Sequence, residues 1–435
     1  MPEPSPAIDS LDTRPWYAGI TRYQWIVLAI AAAGWAFDQY ESQVFVLTKD
    51  PILKYLNVSE GAELNRWTDY LYTVFLLGSA TGGLLAGTLA DRFGRRPLLI
   101  ATILFYSLFS GLTYFITERW ELCVVRFLIA MGIGGEWAVG ASLVAETFPR
   151  RARPYTSGIF HSSSVIGIWI ATIVGIAVGS NWRYAYLVGI LPALLTFWVI
   201  ARVQEPEKWQ AEADRLEGSA TGRKQLGSFR ELLGTPKWRR RALLGCALAA
   251  VGLATFWGVM VAGRDLTRDF LVRAGYSPED VSFWTQITYG FVQMSGAAVG
   301  MLSFARICAR FGRRTAFIAF HIMAFIIVPI TCFLPQTFWQ LLIILPIFAF
   351  MVQSFHAGYA IYFPELFPTH LRATGTSFCF NGGRFGTVPV MLLSAWFKGE
   401  GIDMRWAVTC TGTLFLVGAV IMLFLPETKG QELPE

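Results

Sequence analysis

The sequence predicts an all-α integral membrane protein, with twelve transmembrane helices in two pseudo-symmetric six-helix bundles. Three observations carry that expectation. The 435 residues are 54% hydrophobic and 15% charged, against roughly 25% charged in soluble globular domains. The apolar residues gather into twelve runs, each near the roughly 20 residues a helix needs to cross a bilayer. The chain also contains itself twice. Glu146-Thr147-Phe148-Pro149 with Arg153 returns as Glu365-Leu366-Phe367-Pro368 with Arg372, at an offset of 219 residues. Phe93-Gly94-Arg95-Arg96 returns as Phe311-Gly312-Arg313-Arg314 at 218, and Pro206-Glu207 as Pro426-Glu427 at 220. An offset of half the length, in a chain this apolar, marks two homologous halves.

The elements follow in order. Residues 1–22 are polar and proline-containing, which predicts a cytoplasmic tail without a cleavable signal peptide. The amino-terminal bundle is expected over 23–203, with spans at 23–46, 68–90, 97–117, 122–145, 155–179 and 184–203. Basic loops at 92–96 and 150–153 separate its second and third, and its fourth and fifth, spans. The stretch 204–240 is the longest polar one and includes the small-residue run 218–222. It reads as a cytoplasmic linker, a solvated tether with a short helix near Ala211 to Leu216. The carboxyl-terminal bundle is expected over 241–425, with spans at 241–262, 281–304, 315–334, 338–362, 375–397 and 405–425; a cytoplasmic tail of 426–435 follows. External loops are expected to be short apart from 47–67 and 263–280. Gly78 and Gly82, like Gly83 and Gly87, recur at the four-residue spacing that lets helix backbones approach closely.

Placing both termini inside assigns two-thirds of the 36 Lys and Arg residues to the cytoplasmic side, the bias that orients membrane proteins. The net charge of +6 then reports orientation towards anionic lipid, and no nucleic acid is implied. Cys123, Cys246, Cys308, Cys332, Cys379 and Cys410 are scattered, which suggests neither a metal knuckle nor a redox pair. The chain has no Gly-Lys dipeptide for a nucleotide-binding loop and no His-Glu-x-x-His helix, so no enzyme, metal site or cofactor is expected.

Residues 87–96 read Gly-Thr-Leu-Ala-Asp-Arg-Phe-Gly-Arg-Arg. This resembles the signature loop of the major facilitator superfamily, and its second copy has Ala309 where Asp91 stands. The loops at 145–153 and 364–372 resemble the Pro-Glu-x-x-Pro-x-x-x-Arg loops of sugar and organic-acid porters, as does the ending Pro426-Glu427-Thr428. The resemblance implies a secondary transporter of the cell membrane, acting as a monomer on a small-molecule solute and protons. Asp91, Arg92, Arg95, Glu146, Arg153, Glu365 and Arg372 are the gating candidates. Asp91 and Arg92 sit at a helix end, and a carboxylate–guanidinium pair between helix ends can latch the halves in one state and part in the other.

Charges within spans cost several kcal/mol unless paired or facing water. Asp38 and Glu41 are three apart and share a helix face, in an element similar to the first helix of aromatic-acid and sialate proton symporters. Arg126 and Glu136 lie about 15 Å apart along the fourth span at 1.5 Å per residue, so each needs a partner elsewhere. Asp38, Glu41 and Glu136 are the proton-coupling candidates. Arg384, flanked by small residues, is a candidate carboxylate fork, with Arg126 beside it as a substrate ligand. Gln286, Tyr289 and Gln293 share a face of the eighth span, and Gln353 and His356 share one of the tenth. These are weaker substrate candidates, and His161 reads first as a packing residue. The expected function is transport of a small organic acid by proton symport; a sugar or other neutral or cationic solute, or a non-transporting sensor of the same fold, is the alternative.

Overall fold

The structure, a computed structural model, describes residues 15–59, 62–179, 181–217, 226–399 and 403–434. Most of the expected amino-terminal tail, the run 218–222 of the linker and the final Glu435 lie outside those residues. Regular structure among the described residues is helical throughout.

The first half holds α1 (Arg22–Tyr55), α2 (Ala62–Phe93), α3 (Arg95–Phe115), α4 (Arg119–Thr147), α5 (Arg153–Val178) and α6 (Arg183–Arg202). The second holds α7 (Pro236–Arg273), α8 (Pro278–Phe311), α9 (Arg313–Phe333), α10 (Phe338–Leu366), α11 (Arg372–Gly399) and α12 (Met404–Phe424). Ten of the twelve are long and apolar enough to cross a membrane. The other two, α1 and α11, fall short because of what they carry mid-helix: the polar run from Asp38 to Gln43 in α1, and Asn381 with Arg384 in α11.

The repeat is visible in the backbone. Both α3 and α9 open on a glycine of positive φ, +105° at Gly94 and +97° at Gly312, a conformation cheap only without a Cβ. That accounts for the shared Phe-Gly-Arg-Arg. The third helix of each triple is peripheral: Leu104 and Leu108 of α3, Phe197 and Trp198 of α6, and Ile322 and Ile326 of α9 are exposed. Apolar stripes of that kind are stable against lipid and not against water.

Two stretches expected as external loops are largely helix. α1 continues through Pro51 to Tyr55 with Ile52 and Leu53 buried, and α7 continues to Arg273 with Leu266 and Leu271 buried. Polar outer faces hid the apolar inner ones.

Glycines on α2 serve two seams. Cβ atoms added at Gly78 and Gly82 would lie 2.3 and 2.1 Å from the carbonyl oxygens of Phe127 and Met131 in α4. Cβ atoms at Gly83 and Gly87 would lie 2.1 and 2.6 Å from the Asn381 and Ser377 side chains of α11, across the boundary between halves. The second inter-half seam joins α5 to α8, with Gly158 on Ala305, Gly290 on Thr172, and Trp169 stacked on Phe291.

The linker is bonded to both halves and is more than a solvated tether. Its helix Glu207–Glu217 places the Trp209 indole N–H 2.9 Å from the Asp91 carbonyl. The Arg92 side chain donates to the Leu226 carbonyl (3.2 Å), and the Gly227 N–H donates to the His370 carbonyl (2.9 Å).

Candidate functional site

Buried charge joins the halves at the end carrying the repeated loops. Arg95 is fully buried and grips Glu146 bidentately, at 3.0 Å from Nε and 2.9 Å from Nη2. It also meets Asp91 at 3.0 Å. Glu146 accepts in addition from Arg372 of the other half at 2.8 Å. Asp91 likewise reaches across: it accepts from the backbone N–H of Ala373 (3.2 Å) and of Thr374 (2.8 Å), and from the Thr374 hydroxyl (2.7 Å). Those N–H groups open α11, where unpaired donors and the helix dipole favour an anion.

Arg92 is not the partner of Asp91. Residues four apart share a side and adjacent ones do not, so Arg95 takes the carboxylate and Arg92 turns to the linker.

The second half repeats the grip. Arg313 holds Glu365 at 2.9 and 2.6 Å, and the Thr428 hydroxyl donates to Glu365 at 2.6 Å. Arg153 donates to the Ala145 carbonyl as Arg372 does to that of Pro364. The Asp91 bridge has no second copy. Ala309 stands at its position, and Pro154, which lacks an N–H, stands at that of Ala373.

Glu427 accepts from the N–H groups of Arg313 and Arg314 opening α9. Its structural counterpart is Glu205, which accepts from those of Arg95 and Arg96; the sequence offset of 220 selects Glu207 instead. Burial pushes the Glu205 carboxyl up from its ordinary range, and the two backbone donors pull it back.

Beyond this junction, towards the middle of the helices, a narrow cleft lies between the halves. From the first half it is walled by Trp35, Gln39, Ser42 and Gln43 of α1, Phe75 of α2, and His161 of α5. From the second come Phe256 and Trp257 of α7, Gln353 and His356 of α10, and Phe380 and Arg384 of α11. Phe256 and Trp257 open a π-helical stretch, Phe256–Met260, a local widening common at functional sites. Trp257 meets Tyr72 of the first half, with ring centroids 5.5 Å apart.

Arg384 lies over the Phe380 ring and donates to the Asn381 side-chain oxygen. Among the described residues no carboxylate lies within ion-pair distance of it. The Asn381 amide donates to the Gly134 carbonyl at 3.1 Å, which ties this part of α11 to α4. The side-chain oxygens of Gln43 and Gln353 are buried without partners.

The acids of the first half stand behind the cleft wall. Glu136 packs on Gly34, where a Cβ would lie 1.9 Å from Oε1; Asp38 is one helical turn further along the same face. The two carboxyls are within interaction range of each other, and Asp38 is also within range of Arg384. All four of their oxygens are buried, and the Tyr106 hydroxyl is within interaction range of Glu136. Glu41 accepts from the Ser110 hydroxyl at 2.6 Å. Arg126 is clamped between the rings of Phe45 and Phe75, 4.3 and 4.4 Å from their centroids, and donates to the Glu41 carbonyl at 3.4 Å. Phe75 separates Arg126 from the cleft.

Of the expected substrate residues, Arg384, Gln353 and His356 come together at the cleft. Gln286, Tyr289 and Gln293 do not line it: Gln286 donates to the Ser282 hydroxyl, and Gln293 to the Met260 carbonyl. Gln293 is turned towards α7, and a π-helical stretch, Thr288–Gln293, alters the spacing between it and Gln286. Gln39, Gln43, Trp35 and Trp257 were passed over, although the i, i+4 spacing of the two glutamines was a usable signal.

Two six-helix halves around a polar cleft, joined at one end by buried ion pairs, define a multi-pass membrane transporter; its work is translocation of a small-molecule solute and not catalysis. The chain belongs to the Major Facilitator Superfamily, whose family model matches residues 25–277. A model described as "Sugar (and other) transporter" matches residues 219–435. A "Probable 4-methylmuconolactone transporter" of Cupriavidus pinatubonensis is 28% identical over 95% of this chain and 93% of its own. The niacin transporter NiaP of Acinetobacter baylyi is 24% identical over 95% and 96%. The sialic acid transporter NanX of Escherichia coli is 24% identical over 88% and 90%. The solved structure of the proton:xylose symporter XylE, bound to 6-bromo-6-deoxy-D-glucose, matches with a TM-score of 0.75 at 17% identity, covering 94% of this chain and 98% of that one. That likeness is one of fold.

Proposed function

We propose that the chain is a proton-coupled symporter of a small organic acid, working by alternating access between bundles 23–203 and 241–425. The observation that carries this reading is Arg384, a buried cation at the cleft wall with no carboxylate in ion-pair contact. A guanidinium so placed is costly unless something supplies an anion, and a solute carboxylate fits its fork. Gln353 and His356 would contact the remainder of the solute. Relatives named for niacin and sialic acid, both carboxylic acids, support the same class.

Proton coupling rests on Asp38 and Glu136. Two buried carboxyls side by side cannot both be charged, so the pair suits the carriage of a proton. In the empty cleft Asp38 is the acid that offsets Arg384. An arriving carboxylate takes over that role and frees Asp38 to accept a proton, which couples the two uptakes. Glu41 and Arg126, one ring behind the cleft, join α1 to α4 in this scheme. The Asp91–Arg95–Glu146–Arg372 cluster is the gate, with Arg153, Glu365 and Arg313 as its second-half support and Arg92 holding the linker. The bundle joints, the linker and both termini face the cytoplasm, and the monomer is the working unit.

The test is uptake of nicotinate, sialate and cis,cis-muconate into proteoliposomes with and without an inward proton gradient. Gradient-driven uptake that Arg384→Ala abolishes is expected. Uptake indifferent to the gradient would refute the coupling. The amides of Gln39, Gln43 and Gln353 among aromatic rings favour a second reading, a neutral solute such as a sugar; transport of xylose but of no acid would establish it.

A further inference from the structure

We propose that His161 is a solute-binding residue that offers the anion a fixed N–H donor from the first half, opposite Arg384, and that Trp137 is the positioning residue that fixes it. The proposal rests on the carboxylate reading above and adds a second point of attachment.

The backbone sets the position. α5 is interrupted at Ser163, whose hydroxyl lies 2.7 Å from the carbonyl oxygens of both Ala32 and Phe160. His161 is two residues before that break, and its carbonyl accepts from the Trp35 indole at 3.1 Å. A second indole, that of Trp137, donates to the ring nitrogen Nδ1 at 3.1 Å. The residue is thus held at its backbone and at its ring by two tryptophans.

The chemistry follows from which atoms can donate. An indole N–H only donates, so Nδ1 must present its lone pair, and a neutral imidazole then carries its proton on Nε2. No hydrogen-bond partner of Nε2 occurs among the described residues, and His161 lines the cleft. The result is an oriented donor with no acceptor, in a cleft whose cation has no carboxylate in ion-pair contact among the described residues.

Trp137 links the two attachment points. It stacks on Phe380 of the other half, with centroids 3.8 Å apart and planes at 24°, and Arg384 lies over that same ring at 5.3 Å. One carboxylate has two oxygens, one for the guanidinium on α11 and one for the imidazole N–H on α5. Such a solute would be gripped by both halves at once, and its binding energy would be available only when they approach.

The test is calorimetric binding of whichever acid among nicotinate, sialate and cis,cis-muconate stabilises the purified wild-type protein. His161→Phe keeps a ring and removes the donor; a hydrogen bond to a charged acceptor is worth about ten- to a hundredfold in Kd, and a loss of that size is expected. His161→Gln can still accept from Trp137 and donate onward, and should return Kd to within about threefold of wild type. Trp137→Phe should weaken binding in the wild-type background but add nothing to His161→Phe, because it acts through the imidazole. In 15N-histidine-labelled protein, Trp137→Phe should also turn the single His161 tautomer into a mixture. Equal affinity of His161→Phe and wild type overturns the proposal, as does a Trp137→Phe effect of the same size in both backgrounds. A wild type stabilised by none of the acids overturns the carboxylate reading and this one with it, which separates the two failures.

Discussion

Asp91→Asn removes one charge and leaves every neighbour in place. Three donors on α11 converge on that carboxylate, and each hydrogen bond to a charged group is worth about 1.5–3 kcal/mol. An amide oxygen in the Oδ2 position keeps the two Thr374 bonds without their charge and turns its NH2 towards the Ala373 N–H, so one bond is lost and two are weakened. A loss of about 3 kcal/mol follows. All three bonds cross between halves, so that loss falls on the conformation closed at this end, while the broken Arg95 pair, which lies within the first half, lowers thermal stability. At 1.4 kcal/mol per tenfold, the closed-to-open ratio should fall about 100-fold. Spin labels at the exposed Phe93 and Phe311, in a background free of reactive cysteines, would report the distance across the end by pulsed EPR. Wild type should give a short, narrow distribution, and Asp91→Asn should add a longer one. Thr374→Val, which deletes only the hydroxyl bond, should fall between them. An Asp91→Asn distribution that overlays wild type would refute the argument.

Glu146→Gln leaves Arg95 and Arg372 buried without their shared acid; breaking a buried pair costs about 3–5 kcal/mol, so both thermal stability and the closed distance should suffer. Glu365→Gln, whose ion pair lies within one half, should lower the melting temperature while sparing that distance; an identical shift in both variants would count against the assignment. Asp38→Asn should abolish gradient-driven uptake yet retain solute counterflow, since exchange needs no net proton movement. Continued acceleration by the gradient would remove Asp38 from the coupling scheme.

The sequence made the frame legible because the frame is repeated. Arg95 with Glu146 and Arg313 with Glu365 are two copies of one contact, and an offset reveals copies. Single features were harder to read. The partner of Asp91 is fixed by helical phase, which favours Arg95 four residues on. Glu205 escaped because the Pro-Glu pair lies two residues later after α6 than after α12, so matching that pair selects Glu207. The pairing of Asp38 with Glu136 depends on Gly34 lying under the Glu136 carboxyl, a contact between distant segments that no spacing encodes. The i, i+3 and i+4 spacing of Gln286, Tyr289 and Gln293 assumes an unbroken α-helix, which the π-helical stretch Thr288–Gln293 interrupts, and periodicity does not say what a face meets.

The closed end is held unequally along its two seams. The α2–α11 seam carries the Asp91 bridge, whereas α5 and α8 touch through small residues and stacked rings at several levels, with Ala309 and Pro154 in place of a bridge. In mechanical language one seam is a bolt and the other a bearing. Drawing the bolt would swing the end open like a door about the α5–α8 line, so that solute leaves along α2 and α11, past the broken charges and under the linker. A symmetric fold would then have an asymmetric exit.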